Sequence, residues 1–239
     1  MPEHRWLVLS LEAPLVAFGG VTIDHMGVTR DFPALSMLTG LFANAMGYLR
    51  TDWLRHQQLQ DRLLFAARLE RESPSSLLTD TQNAKLEGND KGWTTRGEPE
   101  GRTGSSYGAP HRRLREYHMD AHVTVVLRLE PDSNDADLDT LAAHLDRPLR
   151  PLFIGRKPCL PSAPLRRQEP IAAPTAYAAL QQIPGGRRLR AIWPLGEGPE
   201  AGEEVLRIID LPDIRNWRTG LHGGARQIVE GFIRPEQKT

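Results

Sequence analysis

Cysteine is almost missing from this 239-residue chain: Cys159 is the single one. That excludes an intrachain disulfide and any multi-cysteine zinc site, and it fits a reducing compartment. Net charge is missing too, with 30 basic and 30 acidic side chains. A protein that binds nucleic acid on its own usually carries a basic excess, because phosphate neutralisation supplies most of the affinity. The balance argues against a free-standing polyanion binder, but a local basic groove is still compatible with it. No apolar run approaches the roughly 20 residues of a membrane helix. The stretch from Met1 to Trp6 is polar, so neither a secretory leader nor membrane contact is expected, and the expected location is the cytoplasm. Enzyme signatures are absent as well: there is no Walker loop, no G-x-S-x-G, no H-E-x-x-H and no strand–GxGxxG–helix unit. The expectation is a binding protein without catalytic residues, metal or cofactor.

One internal segment is short of core material. Between Arg71 and His118 there is no valine or isoleucine, and glycine recurs at Gly88, Gly92, Gly97, Gly101, Gly104 and Gly108. Such a stretch cannot bury a core of its own, and loops of this length are usually functional or disordered. It reads as a projecting hairpin, a lid, or a tail ordered by a partner.

What is present is a clear alternation of periods. Leu7, Leu9 and Leu11 alternate with Val8 and Ser10, the pattern of a buried strand. After Pro33 the spacing turns helical, with Leu35, Leu38, Leu41, Phe42, Ala45 and Leu49 on one stripe. Pro33 is well placed at a helix start, where its missing N–H would have no partner. Leu63 to Leu69 reads as a strand, and so does Ala121 to Glu130, with Val123, Val125, Leu127 and Leu129 facing one way. Asp137 to Leu145 reads as a short helix. Beyond Pro170, a helix over Thr175–Gln182 and strands near 187–193, 204–209 and 226–233 suggest a smaller lobe. The order predicts an α+β fold in which two helices cover one antiparallel sheet, a ferredoxin-like (RRM-like) core. The expected division is residues 1–165 with an insertion near 71–118, followed by a small β-rich lobe over 166–239.

Charge is most uneven from Arg147 to Gln168, which holds Arg147, Arg150, Arg156, Lys157, Arg166 and Arg167 and no acid. Its five prolines and the single glycine, Gly155, would place cations at low entropic cost, which suits a phosphate backbone. The alternative is a solvated loop whose charges face acids elsewhere. Arg112, Arg113 and Arg115, beside His111 and Tyr117, form a second cluster. Guanidinium forks onto phosphate and stacks on bases, and tyrosine offers a stacking face; ordinary surface arginines at a strand entry are the other reading. Trp93 is either a satellite core contact or a stacking platform. His25, His111, His118 and His122 are the imidazoles that an acid–base pair would draw on, but the spacing brings no two of them together.

Several segments, in order, resemble a known family. They are Leu7 to Leu15 (LVLSLEAPL) followed by Phe18-Gly19, Arg30 to Ser36 (RDFPALS), Thr79 to Gln82 (TDTQ), His111 to Ala121 (HRRLREYHMDA) and Pro151 to Leu165 (PLFIGRKPCLPSAPL). Together they resemble the CasD-type subunits of E-subtype CRISPR Cascade complexes, within the repeat-associated mysterious protein superfamily. Pro151–Leu165 is the most specific of the five, and the match fades beyond 165. The resemblance implies a ferredoxin-like core with a thumb made from 71–118. It also implies a non-catalytic role, capping the 5′ handle of CRISPR RNA beside the backbone and large subunits, with target DNA met only through the complex. The RNA-binding residues implied are Arg30, Ser36, Thr81, Gln82, Trp93, Arg96, Arg112, Arg113, Tyr117, Gly155, Arg156 and Lys157. A related subtype uses its equivalent protein as the processing nuclease. The competing expectation is therefore a metal-independent endoribonuclease acting on repeat RNA through His111, His118 or His122.

Overall fold

The computed structural model describes residues 3–71, 77–84, 92–93, 99–100, 111–131 and 137–235. The chain is a mixed α/β protein, rich in sheet, with four helices among these residues. The elements are β1 (His4–Val16), β2 (Thr22–Ile23), β3 (Met26–Gly27), α1 (Leu35–Ala45), α2 (Trp53–Arg62), β4 (Leu63–Arg71), β5 (Leu78–Ala84), β6 (Gly92–Trp93), β7 (Pro99–Glu100), β8 (His111–Leu129), α3 (Leu138–Asp146), β9 (Ile171–Ala173), α4 (Ala176–Gln182), β10 (Leu189–Pro194), β11 (Val205–Leu211) and β12 (Arg226–Ile233).

One sheet runs β11-β12-β10-β4-β8-β1-β9, and every neighbouring pair along that path is antiparallel. Its alternating side chains feed two cores. On one face Leu7, Leu9, Leu11, Phe65, Val123, Val125 and Leu127 pack beneath Leu38 and Phe42 of α1 and Leu141 and Leu145 of α3. On the other, Trp6, Val8, Val126, Trp193 and Val229 meet Ala176, Ala179 and Leu180 of α4. Each fully buried leucine or phenylalanine here stabilises the fold by about 1.5–3 kcal/mol over an exposed one.

The expected smaller lobe does not stand apart from this sheet. β10 pairs with β4 through Ala191↔Arg68 and Ile192↔Ala67. A boundary after 165 would also remove β9 from the edge of β1, where His4 pairs with Ala173. Hydrogen bonding through the sheet joins what a fading sequence pattern had separated. α4 is further tied down by Arg68, a fully buried arginine whose guanidinium donates to the carbonyls of Leu180, Ile183 and Pro184 at 2.7, 2.9 and 3.1 Å.

The helix α2 was not expected from the sequence. Its segment, WLRHQQLQDR, buries only His56, Leu59 and Gln60, so no apolar stripe announces it. None of the described helices is long and apolar enough to cross a membrane.

Candidate nucleic-acid interface

β8 is 19 residues long and changes partners along its length. Its second half pairs with β1 and β4 in the main sheet, while its first half pairs with β5 and β3. On one edge the partner passes from β5, ending at Tyr117, to β4, beginning at His122, and between them Asp120 sits at φ 49°, in the left-handed region. Asparagine and aspartate tolerate that conformation better than most residues. Arg71 braces the bend, donating from Nε to the Asp120 carbonyl at 2.7 Å and from Nη2 to its carboxylate at 2.8 Å.

Beyond the bend, β5 and β8 form a ribbon, with β3 on the other edge of β8. Its register sets Thr81 opposite Leu114, Gln82 opposite Arg113 and Asn83 opposite Arg112. Directly opposed residues share a face. Gln82 and Arg113 therefore lie on one side of the ribbon, and Thr81 and Arg112 on the other. Arg112 is exposed and Arg113 half-buried. Gln82 donates to Asp80 at 2.7 Å. Near the ribbon, the hydrogen bond from His25 holds the Asp24 carboxyl below its usual range, with Arg113 a lesser contributor. The structure thus carries Thr81, Gln82, Arg112 and Arg113 on one ribbon, in two pairs on its opposite faces. Trp93 contributes backbone to the two-residue ladder of β6 with β7, where it pairs with Pro99. Its ring, the whole of Arg96 and the side chain of His111 lie outside the described residues.

The Gly155-Arg156-Lys157 turn sits against this ribbon, although not in the way its charge suggested. Gly155 has φ +86°, and a Cβ there would lie 1.6 Å from the Ala17 carbonyl oxygen. The glycine is required by close backbone approach to the end of β1. Arg156 donates to the carbonyls of Glu116, Gly27 and Val28 at 2.7, 2.8 and 3.1 Å, and lies 5.0 Å from the centre of the Tyr117 ring. Its guanidinium clasps β3 to β8 and is not held out as a phosphate fork. Tyr117 is only 3% exposed, so its ring is a core contact beneath Arg156 and offers no open face to a base. Lys157, next along, is exposed and has no ion pair among the described residues.

Most of the acid-free stretch follows Arg156. Arg150 donates to the carbonyls of Tyr48 and Gly47, both at 2.8 Å. Arg166 is forked onto Asp146 and reaches Glu169, and Arg167 reaches Glu12 at 2.8 Å. Of the cations in that run, only Arg147 and Lys157 lack a side-chain hydrogen bond or ion pair among the described residues. Of the six cations, Arg166 and Arg167 meet carboxylates, while Arg150 and Arg156 are held by backbone carbonyls.

Arg30 and Ser36 are also engaged within the protein. Arg30 donates to the Pro212 carbonyl at 2.7 Å, and its own carbonyl receives His118 Nε2 at 2.7 Å. Ser36 is 8% exposed and lies at the start of α1, which has no side-chain cap from its own N-cap residue, Ala34. The cap comes from Asp213, which is fully buried. Its carboxylate accepts from the Leu35 N–H at 2.9 Å, its carbonyl accepts from the Ser36 N–H at 3.2 Å, and Arg226 balances its charge at 3.0 Å. A helix N-terminus already holding a carboxylate is closed to a phosphate. Neither Asp213 nor Arg226 carries a local sequence signal for this role.

The histidines are engaged separately. His118 packs against Phe18 with ring centres 5.3 Å apart. His122 Nε2 lies 2.8 Å from the Ser10 hydroxyl, and burial pushes its imidazole below the ordinary pKa against the pull of Glu12 and Glu70.

Among protein families, CRISPR-associated protein (Cas_Cas5) matches residues 6–229. The CRISPR system Cascade subunit CasD of Escherichia coli (strain K12) is 29% identical over 162 residues, spanning 68% of this chain and 70% of that one. Among solved structures, a chain of a CRISPR RNA-guided surveillance complex superposes with a TM-score of 0.66 at 22% identity, covering 96% of this chain and 90% of that one. A second, the crystal structure of a Cas protein, gives a TM-score of 0.59 at 21% identity, covering 97% and 98%. The last two establish a shared fold.

Proposed function

The chain belongs to the CRISPR-associated protein (Cas_Cas5) family, and we propose that it serves as the non-catalytic, guide-end-binding subunit of an RNA-guided surveillance complex of the Cascade kind. The observation that carries this reading is the β5–β8 ribbon. It lies off the main sheet path, leaves it near Asp120, carries Arg112, Arg113, Thr81 and Gln82, and is met at Glu116 by the turn that bears the exposed Lys157. A single-stranded 5′ handle would wrap the ribbon, meeting Arg112 and Thr81 on one face and Arg113 and Gln82 on the other, with phosphates on the arginines and Lys157 and base edges at Thr81 and Gln82. Guide pairing would then read the target, the division of labour of RNA-guided effectors.

Two finer readings go with it. A ferredoxin-like core is supported by the order β9-β1-β8-β4, antiparallel throughout, with α1 lying between β1 and β4 in the chain and α3 between β8 and β9. A thumb over 71–118 is supported by the pairing of the two ends of that segment, β5 with the first half of β8. The neutral overall charge fits a chain whose remaining surface faces backbone and large subunits, with target DNA reached only through them.

The nuclease alternative finds less support. Its acid and base would have to share a substrate proton path, whereas His118 bonds the Arg30 carbonyl and His122 bonds Ser10. The test is incubation of the purified chain with repeat RNA in EDTA, alongside footprinting of guide RNA in the assembled complex. Intact repeat RNA and a footprint over the 5′ nucleotides that is lost with this subunit are expected. Sustained, site-specific cleavage would overturn the reading.

A further inference from the structure

A second basic surface lies away from the ribbon, where the 212–223 loop docks on α2. Gln60 fixes that loop: its Oε1 accepts from the Trp217 indole at 3.1 Å and the Arg215 N–H at 3.2 Å, and its Nε2 donates to the Arg215 carbonyl at 2.9 Å. Trp217 stacks on His56 with ring centres 4.7 Å apart. The loop is therefore held as firmly as an element of regular structure.

Four arginines gather on this scaffold, each but one set over a ring. Arg55 lies 3.9 Å from the Tyr48 ring centre, Arg215 lies 5.0 Å from that of Trp217, and Arg218 lies 5.7 Å from that of Trp53. Arg50 is near enough to Arg215 to repel it. None of the four has a carboxylate partner among the described residues. The acids of α2 and its cap are taken, Asp52 by the Leu49 N–H at 2.8 Å and Asp61 by Gln57 at 2.8 Å. Arg215 is the sharpest case, because its Nε is buried with no acceptor among the described residues. A half-buried guanidinium beside a second cation, with no counter-charge, is costly unless an anion arrives from outside.

The anion's character follows from what surrounds the charge. Trp53 is 40% exposed and Leu54 53%, so an aromatic edge and an apolar side chain lie open among the arginines. Alternating guanidinium and ring is the composition that holds a phosphate chain while stacking its bases. An acidic protein surface would satisfy the charge but leave Trp53 without a use. Arg30 touches the head of the same loop, donating to the Pro212 carbonyl at 2.7 Å. His222 lies within reach of both arginines: burial first, then Arg215 and Arg30, hold its imidazole below the ordinary pKa.

We propose that Arg50, Arg55, Arg215 and Arg218, with Trp53, form a second RNA surface that takes single-stranded RNA beyond the handle site. The proposal rests on the guide-binding reading for the identity of the strand, but the two sites share no residue.

The test uses the full chain and a 5′-labelled 20-nucleotide oligo-U, which carries no handle sequence. Arg50 and Arg55 are exposed, so an Arg50→Gln/Arg55→Gln variant leaves the loop anchor intact. Its slope of log affinity against log salt is expected to be shallower by about 1.4, two phosphate contacts at roughly 0.7 each for single strands. Trp53→Ala is expected to weaken binding at least about fivefold with the slope unchanged, as loss of one base stack does. Wild-type affinity and slope in both variants would overturn the proposal. So would equal, variant-sensitive binding of labelled poly-glutamate, which would assign the face to an acidic protein. Oligo-dT bound in preference to oligo-U would overturn it in favour of DNA. Handle retention lost in Arg112→Ala/Arg113→Ala, with oligo-U binding unaffected by the α2 variants, would remove this site and leave the guide-binding reading standing.

Discussion

The Asp213 carboxylate accepts a hydrogen bond from the backbone N–H of Leu35 at 2.9 Å, across 178 residues of sequence. The first helix is thus capped by the segment that leads into the last strand, and Arg226 forks onto the same carboxylate. Breaking a buried pair by removing one partner typically costs about 3–5 kcal/mol, and Asp213→Ala should fall in that range. Urea unfolding followed by circular dichroism measures it; a loss below about 1 kcal/mol, the scale of an exposed pair, would mean the cap is dispensable.

Arg156 and Lys157 are adjacent but should behave differently. Arg156→Ala would leave the carbonyls of Glu116, Gly27 and Val28 without their donor, and should cost about 2–3 kcal/mol of stability. Lys157→Ala should leave stability within about 0.5 kcal/mol of wild type, as ordinary surface changes do, and should alter only RNA binding. Thermal melts of the two variants, run beside filter binding, separate the clasp from the contact.

Gly155→Ala tests why a glycine stands in that turn. The new Cβ would meet the Ala17 carbonyl, and the left-handed backbone adds about 1–3 kcal/mol of strain for a residue other than glycine. A clear drop in the unfolding midpoint is expected even without RNA. An unchanged midpoint with weakened RNA binding would instead assign the glycine to the ligand.

These residues also mark where sequence reasoning reached and where it stopped. β1, α1 and α3 were legible because one face of each is apolar at a fixed period, as with Leu7, Leu9 and Leu11, while the strands after Pro170 carry a weaker pattern. α2 was not, since His56 and Gln60 are the polar anchors of a docked loop and carry no hydrophobic rhythm. The ribbon was legible in part: the arginines of His111–Tyr117 pointed to it, but its partner β5 is polar along most of its length. The acid-free loop misled because charge is visible in sequence while backbone carbonyls are not. Arg150 and Arg156 are held by the carbonyls of Gly47, Tyr48, Gly27, Val28 and Glu116, which no composition count reveals.

Stability should fall on mild acidification. Burial holds the imidazoles of His122 and His222 below their ordinary value, so the folded state favours their neutral forms. That contribution is complete above the unfolded pKa of about 6.5 and is lost as pH drops through the folded values. Urea midpoints measured from pH 7.5 downward should decline before the carboxylates titrate. His122→Gln should flatten part of that decline, and an unchanged profile would show that His122 is not buried as described.

The claim on which the rest depends is that the ribbon and its neighbouring lysine hold the end of the guide. The most direct measurement is the amount of guide RNA that co-purifies with the complex assembled around this chain, per complex, at rising salt. An Arg112→Ala/Arg113→Ala/Lys157→Ala variant removes three cations without touching the core. It should shed guide RNA at markedly lower salt than wild type, with the salt slope shallower by about 2, three contacts at roughly 0.7 each. Guide retention equal to wild type across the whole salt range, in a variant that folds and assembles normally, would contradict the account.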